Sequence, residues 1–363
     1  MAESELPVPI GDPIPKGYRD LLVQFCDKNP AGGLPKGELL TFNLGKDAAH
    51  LTVYNPAPVA IDGQLHIWAR VEEKTDEKNS VVRLFKEEKN GEWTPVEGAP
   101  VFKGLQDPFY CGQVDGYHIF GGVQIYEGEG TSHLGYRTVF YRYKNSYNEL
   151  VDPRGSTVDP FAIGPEKMKG IRLIHIEPGR IGVFTRPQEP PNKFGQRGQI
   201  GYFEITSLDG LQKALAEYDQ PKNRDTLIQG LFLDKKMSLE KGLGDGEWGG
   251  ANQLFLLQDG KIGVLGHIAG YSDERYIAEV GRQEAKKNYY PITFIFDPET
   301  RSVSHVQIIA TAAQFPAVEA KNDHLGNILF SGGLVKSDEE HCWLYVGIGD
   351  SKGGRIRIED PFI

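Results

Sequence analysis

Residues 115–125 read DGYHIFGGVQI: an Asp-Gly turn, a short apolar run, and a glycine pair ahead of a polar residue. Asp and Gly accept the left-handed backbone of a tight turn, and the bulky residues after them favour a pleated strand. The same shape recurs at 62–71 (DGQLHIWARV), 178–187 (PGRIGVFTRP), 259–269 (DGKIGVLGHIA) and 325–335 (LGNILFSGGLV). Further strand-like runs follow most of them, at 136–143 (YRTVFYRY), 198–206 (GQIGYFEIT), 290–298 (YPITFIFDP) and 341–349 (HCWLYVGIG). Repeats roughly 50–80 residues apart, none able to bury its own faces, suggest radial stacking. The reading is an all-β chain forming a five-bladed β-propeller, with blades near 39–104, 105–165, 166–244, 245–315 and 316–363. Residues 1–38 read as an N-terminal extension packing on it. A β-sandwich fits five similar units less well.

The rest of the chain agrees with this reading. Only 207–219 (SLDGLQKALAEYD) reads as an amphipathic helix, with Leu208, Leu211 and Leu215 on one face. The 44 Gly and 23 Pro of the 363 residues supply frequent turns, and the 39% apolar content suffices for a large core. No apolar run is long enough for a membrane helix. The acidic, proline-rich start MAESELPVPIGDPIPKG lacks the basic and apolar regions of a secretory signal, so a cytoplasmic location is expected. Cys26, Cys111 and Cys342 are far apart and form no CxxC, which fits a reducing compartment. A net charge of −10 argues against nucleic acid as a partner. No ligand-like spacing of His or carboxylates asks for a metal, and no cofactor is expected.

Polar residues gather around the repeats. Arg70, Arg186 and His267 end apolar strand runs, and an unpaired charge is a costly element of a core. Asn55, Asp107, Lys169 with Arg172, Glu247 with Asn252, and Lys321 with Asp323 precede the successive repeats. Asn55-Pro56 and Asp107-Pro108 also have a plainer reading as turn starters. If these residues share one mouth of a propeller, it holds several cations (Lys169, Arg172, Arg186, His267 and Arg137) and few acids. Such a pocket suits a phosphate or a carboxylate, because Arg forks match oxyanions. Inverting hydrolysis at a sugar normally uses two carboxylates, one of them to activate water. Phosphorolysis needs only the acid, since phosphate is itself the nucleophile.

The segments VYNPAPVAIDGQLHIWARVE, LQDPF with GYHIFGGVQ, YRTVFYR, GPEKMKGIRLIHIEPGRIGVFTRP, EWGGANQ, GKIGVLGHIA, FSGGLV and IEDPF occur in order. Together, over 39–363, they resemble the mannosyltransferase/phosphorylase family of β-1,2-mannan metabolism. That family was first described only as a domain of unknown function, and it is related to the mannoside phosphorylases among glycoside hydrolases. The resemblance implies a five-bladed propeller that transfers mannose, with inversion, between phosphate and β-mannoside acceptors. The implied partners are phosphate, α-mannose 1-phosphate, β-mannooligosaccharides and, in some members, GDP-mannose. It implies Asp107 as the single catalytic acid, Asn55 and Arg70 as holders of the reacting mannose, and Lys169 and Arg186 near phosphate. On chemical grounds Arg172, His267 and Arg137 join the phosphate ligands, and Gln106, Glu247, Asn252 and Asp323 the sugar ligands. The related phosphorylases usually carry Glu-Asp-Pro-Arg where this chain has Gln106-Asp107-Pro108-Phe109, which alters the salt links around the acid. The stretches 188–197 and 271–288 read as insertions near the mouth, as lids or acceptor-site walls. If the chain were instead an inverting mannosidase, Glu247 and then Asp323 are the candidate bases. A non-catalytic sugar-binding propeller is the other alternative.

Overall fold

A computed structural model describes residues 17–29, 33–48, 50–73, 76–127, 134–188, 198–218, 228, 231, 247–271 and 286–363. It is mostly β. Helix α1 (Tyr18–Lys28) comes first, followed by the short strands β1 (Glu38–Leu39) and β2 (Thr41–Phe42). The remaining strands form five consecutive antiparallel groups among the described residues, and short parallel pairings of Asn288 with Asn327 and of Lys352 with Val53 join the fourth, fifth and first groups into one sheet. The first comprises β3 (Leu51–Ile61), β4 (Gln64–Glu73), β5 (Asp76–Glu87) and β6 (Glu92–Pro95), with β7 (Phe102–Lys103) paired to β5. The second is β8 (Leu105–Val114), β9 (Tyr117–Glu127), β10 (Leu134–Tyr143) and β11 (Ala162–Ile163). The third is β12 (Arg172–Glu177), β13 (Arg180–Thr185) and β14 (Gly201–Ile205), followed by α2 (Leu211–Glu217). The fourth is β15 (Trp248–Leu256), β16 (Ile262–Tyr271), β17 (Lys287–Asp297) and β18 (Ser302–Ile308). The fifth is β19 (Asn327–Lys336), β20 (His341–Ile348) and β21 (Lys352–Glu359).

Each group shares a hydrophobic core with the next. Trp68 and Leu84 of the first group pack with Phe102, Phe120 and Tyr141. Phe109 and Phe140 of the second meet Leu173, Ile181 and Val183 of the third. Phe184 and Tyr202 of the third meet Val264, Phe294 and Phe296 of the fourth. Leu265 of the fourth meets Leu329, Leu344 and Ile356 of the fifth. Tyr345 of the fifth then returns to Val53, Ile67 and Phe85 of the first. The first strands follow the same circuit: β3 lies beside β8, β8 beside β12, β12 beside β15, β15 beside β19, and β19 beside β3. Residues 38–42 strap the ends of the circuit, with β1 pairing to β21 and β2 to β6.

This packing explains the apolar runs of the sequence. A strand covered on one face alternates apolar and polar residues, whereas β16 is buried along its whole length and reads as a continuous run. Each large side chain buried in this way contributes about 1.5–3 kcal/mol. The five motif segments are not equivalent, however. In the first four groups the motif is the second strand, and in the fifth it is the first strand, β19. The turn-then-strand pattern marks any tight hairpin and does not record a strand's place in its group.

The helix expected over 207–219 forms, as a short 3-10 turn running into α2, with Leu211 and Leu215 buried. Helix α1 was not anticipated. Its buried residues Tyr18, Leu21 and Phe25 join the core of the fourth group, so tertiary packing rather than local pattern holds it. No helix among the described residues is long and apolar enough to cross a membrane. Most of the two expected insertions, 189–197 and 272–285, lies outside the described residues.

Candidate functional site

The site is built from irregularities in the first strands. The β3–β4 register shifts between Tyr54 and Ala57, which places Asn55-Pro56 in a bulge. The β8–β9 register shifts between Gln106 and Phe109, which places Asp107-Pro108 in another. Bulges at Asn252 in β15 and Gly332 in β19 follow the same rule. Asn55 (φ 50°) and Asp107 (φ 44°) both adopt left-handed backbone, which Asn and Asp tolerate better than other side chains. Their following prolines donate no ladder hydrogen bond and so suit a bulge. These dipeptides are therefore strand bulges that re-aim a side chain, not turns. At Gly332 an added Cβ would lie 1.8 Å from the Pro56 carbonyl oxygen, so only glycine lets β19 approach β3 there.

Asn55 Nδ2 donates to Asp107 Oδ1 at 2.8 Å, and Arg70 Nη1 reaches the same oxygen at 3.4 Å. Burial pushes the Asp107 carboxyl up, but the charges of Arg70 and Lys169 and the Asn55 hydrogen bond outweigh it, holding the group below the usual carboxylate range. Arg70 lies over the Tyr54 ring, its guanidinium carbon 5.0 Å from the centroid, and its Nε donates to Glu72 Oε2 at 2.8 Å. Tyr54 Oη and Lys321 Nζ both bind Glu72 Oε1, at 2.5 and 2.6 Å.

Beyond Asp107 lies a cationic cluster. Lys169 precedes β12 and makes no hydrogen bond to another described residue; burial lowers its ammonium, while Asp107 raises it. Arg172 begins β12, donates Nε to the Asn252 carbonyl at 2.7 Å, and stacks 3.8 Å from the Phe109 centroid. Burial draws its guanidinium down to about 10. Arg186 follows β13 and donates Nε to the Gly249 carbonyl at 2.6 Å. It fits closely against Gly170, Gly198 and Gly250, where an added Cβ would come within 3.1, 2.5 and 2.9 Å of its side chain. His267 on β16 shares a 2.8 Å hydrogen bond with Asn252 Oδ1 through Nδ1 and stacks on Tyr289. Trp248 Nε1 in turn donates to Tyr289 Oη at 2.9 Å. Sequence reading counted His267 as a cation. Burial and then Arg186, Lys169 and Arg172 push its imidazolium far below the ordinary histidine range, so it is a neutral polar wall.

The structure thus brings together Asn55, Arg70, Asp107, Lys169, Arg172, Arg186, Asn252 and His267. Three other candidates make contacts elsewhere, and a fourth is exposed. Gln106 adjoins the acid in sequence but donates to Ser80 Oγ at 3.0 Å. Arg137 donates Nε to Gln124 Oε1 at 2.9 Å, lies over Tyr126, and lines a surface cavity with Gly164, Gln212 and Tyr218. Glu247 accepts the backbone N–H of Tyr18 at 2.7 Å and so anchors the first turn of α1. Asp323 is exposed on a 3-10 turn before β19.

Sequence reading passed over Glu72, Tyr54, Tyr289 and Asp350. Glu72 lies within the quoted Arg-Val-Glu run, two residues from Arg70 and therefore on its face of the strand. Asp350, at φ 51° in the β20–β21 turn, looks like any Gly-Asp turn. Its carboxyl is pushed up by burial and by Asp107, and drawn back by Arg70, Lys169 and Lys321. Among the described residues no group of three or more His, Cys, Asp or Glu is arranged as metal ligands. Cys111 is part-buried, accepts the Leu173 N–H, and is pushed up to about 11 by burial, which leaves it unreactive.

Comparison with known proteins places the chain in a family. Residues 33–363 match the family described as protein of unknown function (DUF1861), and the chain belongs to it. Among solved structures it is similar to MPT-4, a mannose phosphorylase from Leishmania mexicana in complex with phosphate ion, at 29% identity and TM-score 0.74 over 95% of this chain and 93% of that one. It is also similar to MPT-1, a GDP-Man-dependent mannosyltransferase from Leishmania mexicana, at 30% identity and TM-score 0.70 over 94% and 93%. A β-1,2-mannobiose phosphorylase from Listeria innocua, in complex with β-1,2-mannobiose, shares the fold at 10% identity and TM-score 0.52 over 87% and 92%. No curated protein gives a significant match to the sequence. The relatives act in glycosyl transfer and, as named, use phosphate, GDP-mannose or mannobiose.

Proposed function

We propose that this member of the DUF1861 family is an inverting β-1,2-mannoside phosphorylase or mannosyltransferase, moving mannose reversibly between phosphate and a β-mannoside acceptor. The observation that carries the reading is a buried acid, Asp107, held by Asn55 and Arg70 beside a cluster of cations. In the transfer direction Asp107 is the base: held ionised, it takes the proton of the acceptor hydroxyl, directly or through a sugar hydroxyl. The acceptor oxygen then attacks the anomeric carbon and phosphate leaves. In phosphorolysis the same group, protonated, gives that proton to the departing glycosidic oxygen while phosphate attacks from the opposite face. Asn55 and Arg70 hold the reacting mannose and orient the acid. Lys169, Arg172 and Arg186 clamp the phosphate, and fixed charges of this kind lower such barriers by several kcal/mol. Neutral His267 borders the same cluster, and Asn252 holds its ring. The fold reading that accompanies this is a five-bladed β-propeller on 39–363, supported by five strand groups whose cores run in a circuit.

The competing reading is inverting hydrolysis, and one observation favours it: Asp350 is a second carboxylate in the field of Asp107. It replaces Glu247 and Asp323 as the candidate base for water. The cations at the same site and the likeness to a phosphate-bound mannose phosphorylase support phosphorolysis instead. The test is to incubate the protein with β-1,2-mannobiose, with and without phosphate, and with mannose 1-phosphate or GDP-mannose plus mannose. Phosphate-dependent release of mannose 1-phosphate, and disaccharide synthesis in reverse, are expected. Asp107→Asn is expected to lose 10²–10⁴-fold in turnover while keeping its fold. Free mannose formed in phosphate-free buffer, and lost in Asp350→Asn, establishes hydrolysis instead. No turnover with any of these donors, with binding intact in Asp107→Asn, leaves a sugar-binding protein.

A further inference from the structure

Lys321, Glu72, Arg70 and Asp107 form an unbroken chain of opposite charges across three strand groups. Lys321 precedes β19 of the fifth group, Glu72 and Arg70 lie on β4 of the first, and Asp107 lies on β8 of the second. The links are 2.6 Å from Lys321 Nζ to Glu72 Oε1, 2.7 Å from Glu72 Oε2 to Arg70 Nη2, and 3.4 Å from Arg70 Nη1 to Asp107 Oδ1. The Glu72 side chain is fully buried, and those of Lys321 and Arg70 are 9% and 7% exposed. A carboxylate without water must be compensated by its neighbours. The two cations share that task, and the long final link shows that Glu72 claims most of the Arg70 guanidinium.

We infer that Lys321 is a positioning residue, which sets how much of the Arg70 charge is left for Asp107. By supplying one of the charges that balance Glu72, it frees Arg70 to lean toward the acid and keep it ionised. The register of the fifth group against the first therefore reaches the reacting centre through two intermediate side chains. Lys321 reaches the acid through Glu72 and Arg70. This inference rests on the mannosyl-transfer reading for its catalytic meaning, but its electrostatic content does not.

The test follows the titration of Asp107 itself. Arg70 on β4 contacts Asp107, and the charges that act on it besides are Lys169 and Arg172 at the start of β12, Arg186 after β13, and Asp350 in the β20–β21 turn. Carboxyl-carbon NMR, with the resonance assigned by its loss in Asp107→Asn, is recorded against pH in wild type, Lys321→Met and Lys321→Arg. Lys321→Met is expected to raise the Asp107 midpoint by roughly half a unit or more, the sense expected when an opposite charge is drawn away. Lys321→Arg is expected to restore it. In turnover, the acid limb of the transfer reaction moves up with the midpoint, while KM for phosphate stays within about twofold, because the anion-binding cations are untouched. Tyr54→Phe removes one donor to Glu72 with little change of shape and is expected to shift the midpoint in the same sense by less, so it serves if Lys321→Met does not fold. An unmoved midpoint in folded Lys321→Met, or in Tyr54→Phe when it must stand in, overturns the inference. So does a shift in Lys321→Arg equal to that in Lys321→Met. A shifted midpoint in a protein that turns over no mannoside sustains the coupling and discards the functional reading.

Discussion

Replacing Asn55 by glycine removes the hydrogen bond that holds the acid. Asn55 occupies left-handed backbone at φ 50°, where alanine adds strain but glycine does not. Asn55→Gly therefore deletes the side chain and its 2.8 Å bond to Asp107 Oδ1 without penalising the bulge. A hydrogen bond to a charged group contributes about 1.5–3 kcal/mol. At 1.36 kcal/mol per pKa unit, its loss raises the Asp107 midpoint by about one to two units. The sign follows from the depressed carboxyl: its ionised form is the one Asn55 favours. In the transfer direction Asp107 acts as base, so the acid limb of kcat moves to higher pH by that amount. At neutral pH kcat falls roughly tenfold or more from lost orientation, since 1.4 kcal/mol corresponds to a factor of ten. Stability obeys the same linkage. A carboxyl held below its unfolded value stabilises the fold at pH above that value, and this contribution is lost as pH falls through the folded midpoint. Asn55→Gly therefore narrows the gap in acid stability between pH ~5 and lower pH. The assay is synthesis of mannobiose from mannose 1-phosphate and mannose between pH 4 and 8, with thermal melts over the same range. An acid limb that stays in place, with kcat within twofold of wild type, would refute the reasoning.

Two further substitutions probe the anion site and the packing beneath it. Lys169→Met removes a cation with no described hydrogen-bond partner, and KM for phosphate is expected to rise about 10–100-fold with the melting temperature nearly unchanged, as measured by phosphorolysis kinetics and calorimetry. Gly332→Ala places a Cβ 1.8 Å from the Pro56 carbonyl; it is expected to cost about 1–3 kcal/mol in urea unfolding and to lower kcat by displacing the Asn55 bulge.

Much of this molecule was legible because the signals are local. Apolar runs opened by Asp-Gly or Pro-Gly turns revealed strands, and 211–217 revealed its helix through the spacing of Leu211 and Leu215. Asn55, Arg70, Asp107, Lys169, Arg172 and Arg186 were singled out because a charge or a proline at a strand end is locally anomalous, and the fold brings them near one another. Glu247, Gln106 and Arg137 carried similar local signals and make contacts with Tyr18, Ser80 and Gln124, because a side chain's partner can come from a different part of the chain. Helix α1 and the buried Glu72 were missed for the same reason: Tyr18 depends on Glu247, and Glu72 depends on Lys321, 249 residues away.

The sequence by itself therefore settled the strand-rich chain and most of the polar groups that meet at the centre, since backbone preference and apolar patterning act over a few residues. Tertiary structure decided which of those groups share one space, that the His267 imidazolium is disfavoured, and that Asp350 lies in the field of the acid. Charge state and partnership depend on water excluded by five strand groups at once, and only the assembled circuit of cores excludes it.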